Sequence, residues 1–199
     1  MRLIVLLLYV LAFAVLHVYL GFGLWAMAGV YLLLGALLTF VFRAEIMGTY
    51  GCACFAQDRI PQASTMLHYA VKHNTKNANA YLCLAVMHMN RKQPEKSLPL
   101  LEKAKEKSKD GLLTKNIAFT RAVCRWQMGD LDKAIGELEQ MRKDYDYMND
   151  KMLASLGRIY MDKGDLVKAE EISRLALKEN GENAEALENL KVMGLEGRS

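Results

Sequence analysis

Apolar and polar positions fall into two regimes along this chain, and they meet at Arg43. From Leu3 to Phe42 there is no Asp, Glu, Lys or Arg. Two unbroken apolar runs, LIVLLLYVLAFAVLHVYL (3–20) and LWAMAGVYLLLGALLTFVF (24–42), are separated only by Gly21-Phe22-Gly23. Crossing a hydrocarbon core takes about 20 apolar residues in a helix, so the tract is about twice one span. A glycine pair at its midpoint predicts a turn, and Tyr19 and Trp25 flank that turn as interfacial aromatics do. The pattern predicts a two-helix transmembrane hairpin with spans at 3–20 and 24–42. Past Arg43 apolar positions recur at helical spacing within a charged background, which predicts amphipathic helices.

Charge refines this picture. Of 26 basic residues only Arg2 precedes Arg43, leaving 25 against 22 acidic residues in the second part, a net of +3. That is too weak a bias for a nucleic-acid partner. Arg2 and Arg43 bracket the hairpin, so the positive-inside rule places both ends, and the domain beyond Arg43, on the cytoplasmic side. A cleaved signal peptide is the competing reading, since Ala12-Phe13-Ala14 resembles a cleavage site, but the residues after it are equally apolar. His17 lies inside the first span with no acidic partner in either span, close to the turn. Ala26, Ala28, Gly29, Gly35 and Ala36 offer a small-residue surface for packing within the hairpin or against another membrane protein.

The charged part repeats. Gly-Asp-Leu-x-Lys-Ala occurs at Gly129–Ala134 and again at Gly164–Ala169. Such a Gly-Asp pair ends one helix and caps the next. Aligning on the alanine brings in weaker copies centred on Ser97 and Ala63. It also predicts a small residue within each first helix (Gly51, Ala85, Ala122, Gly157) and another late in each second helix (Ala70, Ala104, Ala176). Met141 stands at the one site of the twelve that is not small. On these residues the chain resembles the tetratricopeptide repeat (TPR) family, whose units are helix–turn–helix elements of about 34 residues. Units fall at about 44–77, 78–111, 115–148 and 150–183. The fourth carries Leu156-Gly157, Tyr160, Gly164, Ala169 and Ala176 in the family pattern, and departs from it at Ser173 and Gly181. Cys54, His88 and Arg125 replace the Tyr160-type aromatic in the earlier units. Residues 184–197 read as one more amphipathic helix, with Leu187, Leu190 and Met193 on its apolar stripe, closing the core as a solenoid requires. The predicted fold is all-α: the hairpin (1–42), a four-unit array (44–183) and a capping helix and tail (184–199).

The resemblance implies protein binding on the concave, first-helix side of the array. At i, i+4, i+7 spacing that side presents Leu82, Val86, Met89 and Asn90 from the second unit. Phe119, Val123 and Trp126 come from the third, and Ala154, Arg158, Met161 and Asp162 from the fourth. The lining is apolar and aromatic with one arginine, which suits a partner's helix or apolar segment. Gly48, Cys52, Leu82 and Cys83 stand where some family members place a clamp for a C-terminal carboxylate, so that clamp is not expected. Between Arg91 and Lys109 seven basic residues outnumber three acidic ones, either a surface for anionic lipid or a solvated face with Glu102 and Glu106 paired to lysines.

No phosphate loop, HExxH, GxSxG or kinase signature appears, and no enzyme activity, cofactor or metal is expected. Cys52, Cys54, His68 and His73 show zinc-finger-like spacing. In a helix, however, positions i and i+2 point about 200° apart, so small side chains packed beside Gly51 are the favoured reading, with acylation near the membrane the alternative. Two functions are expected on these grounds. One is a membrane-tethered module that recruits or assembles a protein partner. The other is an accessory subunit that contacts its complex through the hairpin, with repeats that stabilise it or self-associate. With no linker after Phe42, the second span is expected to run straight into the array.

Overall fold

The computed structural model describes residues 12, 15, 24–145 and 149–195. Among these the chain is all-α, without a strand. Helix α1 (Leu24–Val41) is followed by four antiparallel pairs: α2 (Arg43–Ala56) with α3 (Ile60–Lys72), α4 (Ala78–Asn90) with α5 (Pro94–Lys107), α6 (Gly111–Gln127) with α7 (Leu131–Tyr145), and α8 (Asp150–Lys163) with α9 (Leu166–Glu179). The short α10 (Ala184–Val192) packs on both α8 and α9. Each pair stacks on the next, and the core runs along the array as three successive clusters.

All twelve positions at which the repeat demands compactness are buried, Met141 included. Their smallness has a direct steric cause. A Cβ on Gly51 would lie 2.9 Å from Leu67 Cγ and 3.2 Å from its backbone nitrogen. One on Gly157 would lie 2.6 Å from Ser173 Oγ. Ser173, where the resemblance implies an aromatic, thus sits at a close approach of α8 and α9. In the second pair Ser97, at the place of Ala169, donates to the Ala85 carbonyl at 2.8 Å.

The turns explain how the pairs reverse. Gly164 ends α8 at φ +86°, and Asp165 accepts from the Lys168 N–H at 3.2 Å to start α9. Gly129 takes the same left-handed conformation at φ +80°. The first two pairs make this turn with Asp58 (φ +57°) and Lys92 (φ +56°), residues that carry a Cβ. Left-handed backbone disfavours a Cβ by about 1–2 kcal/mol, partly offset by the unfolded-state freedom of glycine. Lys92→Gly should accordingly stabilise the array by about 0.5–1 kcal/mol, read as a raised urea midpoint at constant slope; a lowered midpoint would show that the lysine contributes more than its backbone costs.

Two expectations need correction. In α10 the buried face is Ala186, Asn189 and Leu190 with half-buried Met193, while Leu187 points outward at 47% exposure. Asn189 displaces it because its amide donates to the Ala154 carbonyl at 2.9 Å and approaches Ser173 Oγ at 3.4 Å. Glu102 pairs with Arg121 on α6 at 3.1 Å, not with a lysine of its own helix, because packing of α5 against α6 offers a guanidinium across the seam.

The first expected span, and His17 within it, lie outside the described residues apart from positions 12 and 15. Among the described residues no single helix is long and apolar enough to cross a membrane. Ala28–Val41 and Arg43–Ala56 meet that test only together, bent by 68°. The chain does pass from α1 into α2 without a linker, and Phe42 ends one helix and starts the next: its N–H donates to Leu38 O at 2.9 Å and its carbonyl accepts from Ile46 N–H at 3.0 Å. It does not run straight, since the axis turns sharply at Phe42.

Candidate partner-binding face

The first helices α2, α4, α6 and α8 stand side by side, and the residues that fill their seams grow along the array. At the α2–α4 seam a Cβ on Gly48 would already touch the Ala80 methyl at 3.2 Å, so these helices meet over glycine and alanine. At the α4–α6 seam Leu82 and Val123, both half-buried, pack on a core of Tyr81, Ala85, Met89 and Ile117. At the α6–α8 seam Phe119, Trp126 and Met161, all half-buried, pack on Leu153, Leu156 and Tyr160.

The nine candidate residues thus separate into roles. Leu82, Val86, Phe119, Val123, Trp126 and Met161 each bury part of the side chain and present the rest. Met89, at 7% exposure, belongs to the core between α4 and α6 and does not line an accessible face. Ala154 is likewise fully buried, under Asn189. Asn90 is exposed at the end of α4. Arg158 is half-exposed and stands 3.8 Å from Asp162, one turn further along α8.

Asp162 organises this end of the face. Its Oδ2 accepts the Trp126 indole N–H at 2.7 Å, tying α6 to α8 across the seam. The bond fixes the ring plane while part of the indole stays accessible, the condition under which a large aromatic serves as an anchor at low entropic cost. Met161 beside it supplies an adaptable contact.

An ion network missed by sequence reasoning lies behind this face. Glu137 on α7 takes Arg121 Nε at 3.0 Å and Arg125 Nε at 2.7 Å; the second contact is close but lacks hydrogen-bond alignment. Arg121 also reaches Glu102 on α5, so three helices are joined. Arg125 occupies the site held by Tyr160 in the fourth unit, whose phenol donates to Glu139 at 2.9 Å. Burial, reinforced by the Glu139 carboxylate, pushes the Tyr160 hydroxyl up to about 12. In both units a long side chain from the first helix carries a polar tip to a glutamate on a second helix, and the only signal in the sequence was the Arg-for-Tyr exchange.

The cysteines distribute as helix geometry requires. Cys54 is buried in the core cluster of the first pair, whereas Cys52 is half-buried and packs, with Cys83 of α4, against that cluster. The contact with Cys83, with burial, pushes the Cys52 thiol up. The His68 ring meets His88 edge-on at 5.8 Å, and His73 stacks near Tyr69. Among the described residues no group of three or more His, Cys, Asp or Glu side chains converges as metal ligands would.

A tetratricopeptide repeat family model matches residues 119–185. No curated protein matches the chain. Solved structures do. YrrB, a TPR protein with an unusual peptide-binding site, aligns with a TM-score of 0.64 at 20% identity, over 74% of this chain and 74% of YrrB. MamA aligns at 0.60 and 16% identity, over 77% of this chain and 84% of its own. PilF of Pseudomonas aeruginosa aligns at 0.60 and 16%, over 76% and 69%. These likenesses support a TPR-type helical solenoid as the fold.

Proposed function

We propose that the chain is a membrane-tethered protein–protein interaction module, whose first-helix face receives a helix or apolar segment of a partner on the cytoplasmic side. The observation that carries this reading is the layer of six half-buried apolar and aromatic side chains across α4, α6 and α8, ending at the pinned Trp126. The fold favours the same role, since structurally similar YrrB is a peptide-binding TPR protein. The tether rests on the charge-free Leu3–Phe42 tract and on α1, where none of Ala28–Val41 is buried. An accessory-subunit role, with the partner held by the apolar N-terminal tract, is the competing reading.

Trp126→Ala and Phe119→Ala, singly and together, separate the two. Crosslinked purification of the full chain from membranes identifies the partner. Trp126→Ala should then weaken its capture about thirtyfold, the scale of an interface hot spot worth about 2 kcal/mol. Capture unchanged in the double variant, but lost when residues 1–42 are exchanged for an unrelated anchor, would favour the accessory-subunit reading.

A further inference from the structure

Exposed large hydrophobic side chains concentrate at one end of the molecule. Leu32, Leu33, Leu34, Leu37, Phe40, Val41, Phe42, Ile46, Met47 and Tyr50 are all exposed. The remaining described examples are scattered, and scattered exposure needs no explanation, whereas a contiguous patch does. The patch does not stop at the end of α1. Phe42, Ile46 and Tyr50 are spaced by four residues through the bend, so they form one stripe along α2, with Met47 beside it. From Ile46 to Ala56 that helix carries no charged residue. Its other face is fully used: Gly48, Gly51 and Cys54 are buried against α3 and α4.

The charge beside the stripe has a definite sign. Because α3 runs back along α2, its C-terminal end lies next to the α1–α2 junction, as the Glu45 contact with the Lys76 N–H at 3.3 Å shows. Arg43 lies 4.8 Å from the Tyr69 ring and 5.2 Å from that of Phe40. Lys72 and Lys76 are exposed at the same end, and the nearby acid, Glu45, is turned toward the Lys76 backbone. An apolar stripe with an adjoining group of cations is the chemistry of an interfacial helix on an anionic bilayer. The bend fits this placement. If α1 leaves a membrane along its normal, a 68° turn lays α2 close to the membrane plane.

We infer that the first repeat is itself a membrane-docking surface: α2 lies along an anionic bilayer with Phe42, Ile46, Met47 and Tyr50 in the interfacial layer, and Arg43, Lys72 and Lys76 meet acidic lipid headgroups. The inference rests on the tether reading and adds to it an orientation, with the array held flat against the membrane by its first helix pair.

The test uses the full chain in vesicles of phosphatidylcholine, with or without phosphatidylglycerol. Tyr50→p-benzoylphenylalanine places a photoreactive group in the stripe, with Met47→p-benzoylphenylalanine as a second probe and Leu187→p-benzoylphenylalanine on α10 as the distant control. Irradiation should yield lipid adducts from the Tyr50 and Met47 probes, several-fold more with phosphatidylglycerol, and none from the Leu187 probe. Arg43→Glu with Lys72→Glu and Lys76→Glu should remove the phosphatidylglycerol dependence. A chain that resists carbonate extraction, yet whose two stripe probes give only a crosslinked dimer or no adduct, overturns the docking while leaving the tether intact. A chain that carbonate releases overturns the tether, and the docking with it.

Discussion

Leu156→Ala is expected to lower stability by about 2–5 kcal/mol, the range for truncating a fully buried leucine. Leu156 has no exposed surface and sits among Leu153, Ile159, Tyr160, Ile172 and Leu138 where three helices meet. The surroundings cannot close on the cavity. Gly157, next along the chain, already holds α8 against Ser173 at a distance that tolerates no Cβ, so the two helices have no room to shift together. In a stacked array each layer is stabilised by its neighbours, and the loss should extend to α9 and α10. Urea titration of the full chain in a mild nonionic detergent, followed by far-ultraviolet circular dichroism, measures it. Leu156→Met, which nearly conserves volume, should cost less than about 1.5 kcal/mol. An equal cost for the two variants would show that shape, and not the cavity, governs the site.

Glu137→Ala is expected to cost about 3 kcal/mol, at the lower end for removing one partner of a buried ion pair. Its carboxylate is 18% exposed and stands between two guanidiniums that are 16% and 20% exposed. Without it Arg121 retains only Glu102, and Arg125 only a distant contact with Asp130 at 3.9 Å. The diagnostic is a triple comparison by urea titration. If the cost comes from stranded positive charge, Arg125→Leu combined with Glu137→Leu should recover most of it, because a well-packed apolar pair is often neutral relative to the ion pair it replaces. Failure of the double variant to recover stability would assign the network to geometric positioning of α6 on α7.

These two sites mark what the sequence made legible and what it did not. The all-α character and the repeat type come from local signals: small residues at fixed offsets and the Gly-Asp turns, which Gly164 and Asp165 realise with a left-handed glycine and a capping carboxylate. Half-buried and buried positions on the first helices were not separable in the same way. Met89 and Trp126 occupy equivalent places, four residues after the small residue of their helices, yet Met89 is sealed in the core while Trp126 stays half-buried. That outcome depends on the spacing between successive helices, which no single helix encodes. The Glu137 network was invisible for a related reason, since Arg121 and Glu102 are 19 residues apart and meet only through stacking. Likewise no proline marks the 68° turn at Phe42.

The unequal seams between first helices give the array graded mechanics. Glycine and alanine at Gly48 and Ala80 bring α2 and α4 into near-direct backbone contact, which resists both shear and opening. Phe119, Trp126 and Met161 separate α6 from α8 by a layer of long side chains, braced across the gap by the indole-to-Asp162 bond. Such a joint yields before a seam closed by backbone does. Under the proposed tether and partner, tension between the two would be absorbed at the third joint, beside the partner, while the first joint stays rigid.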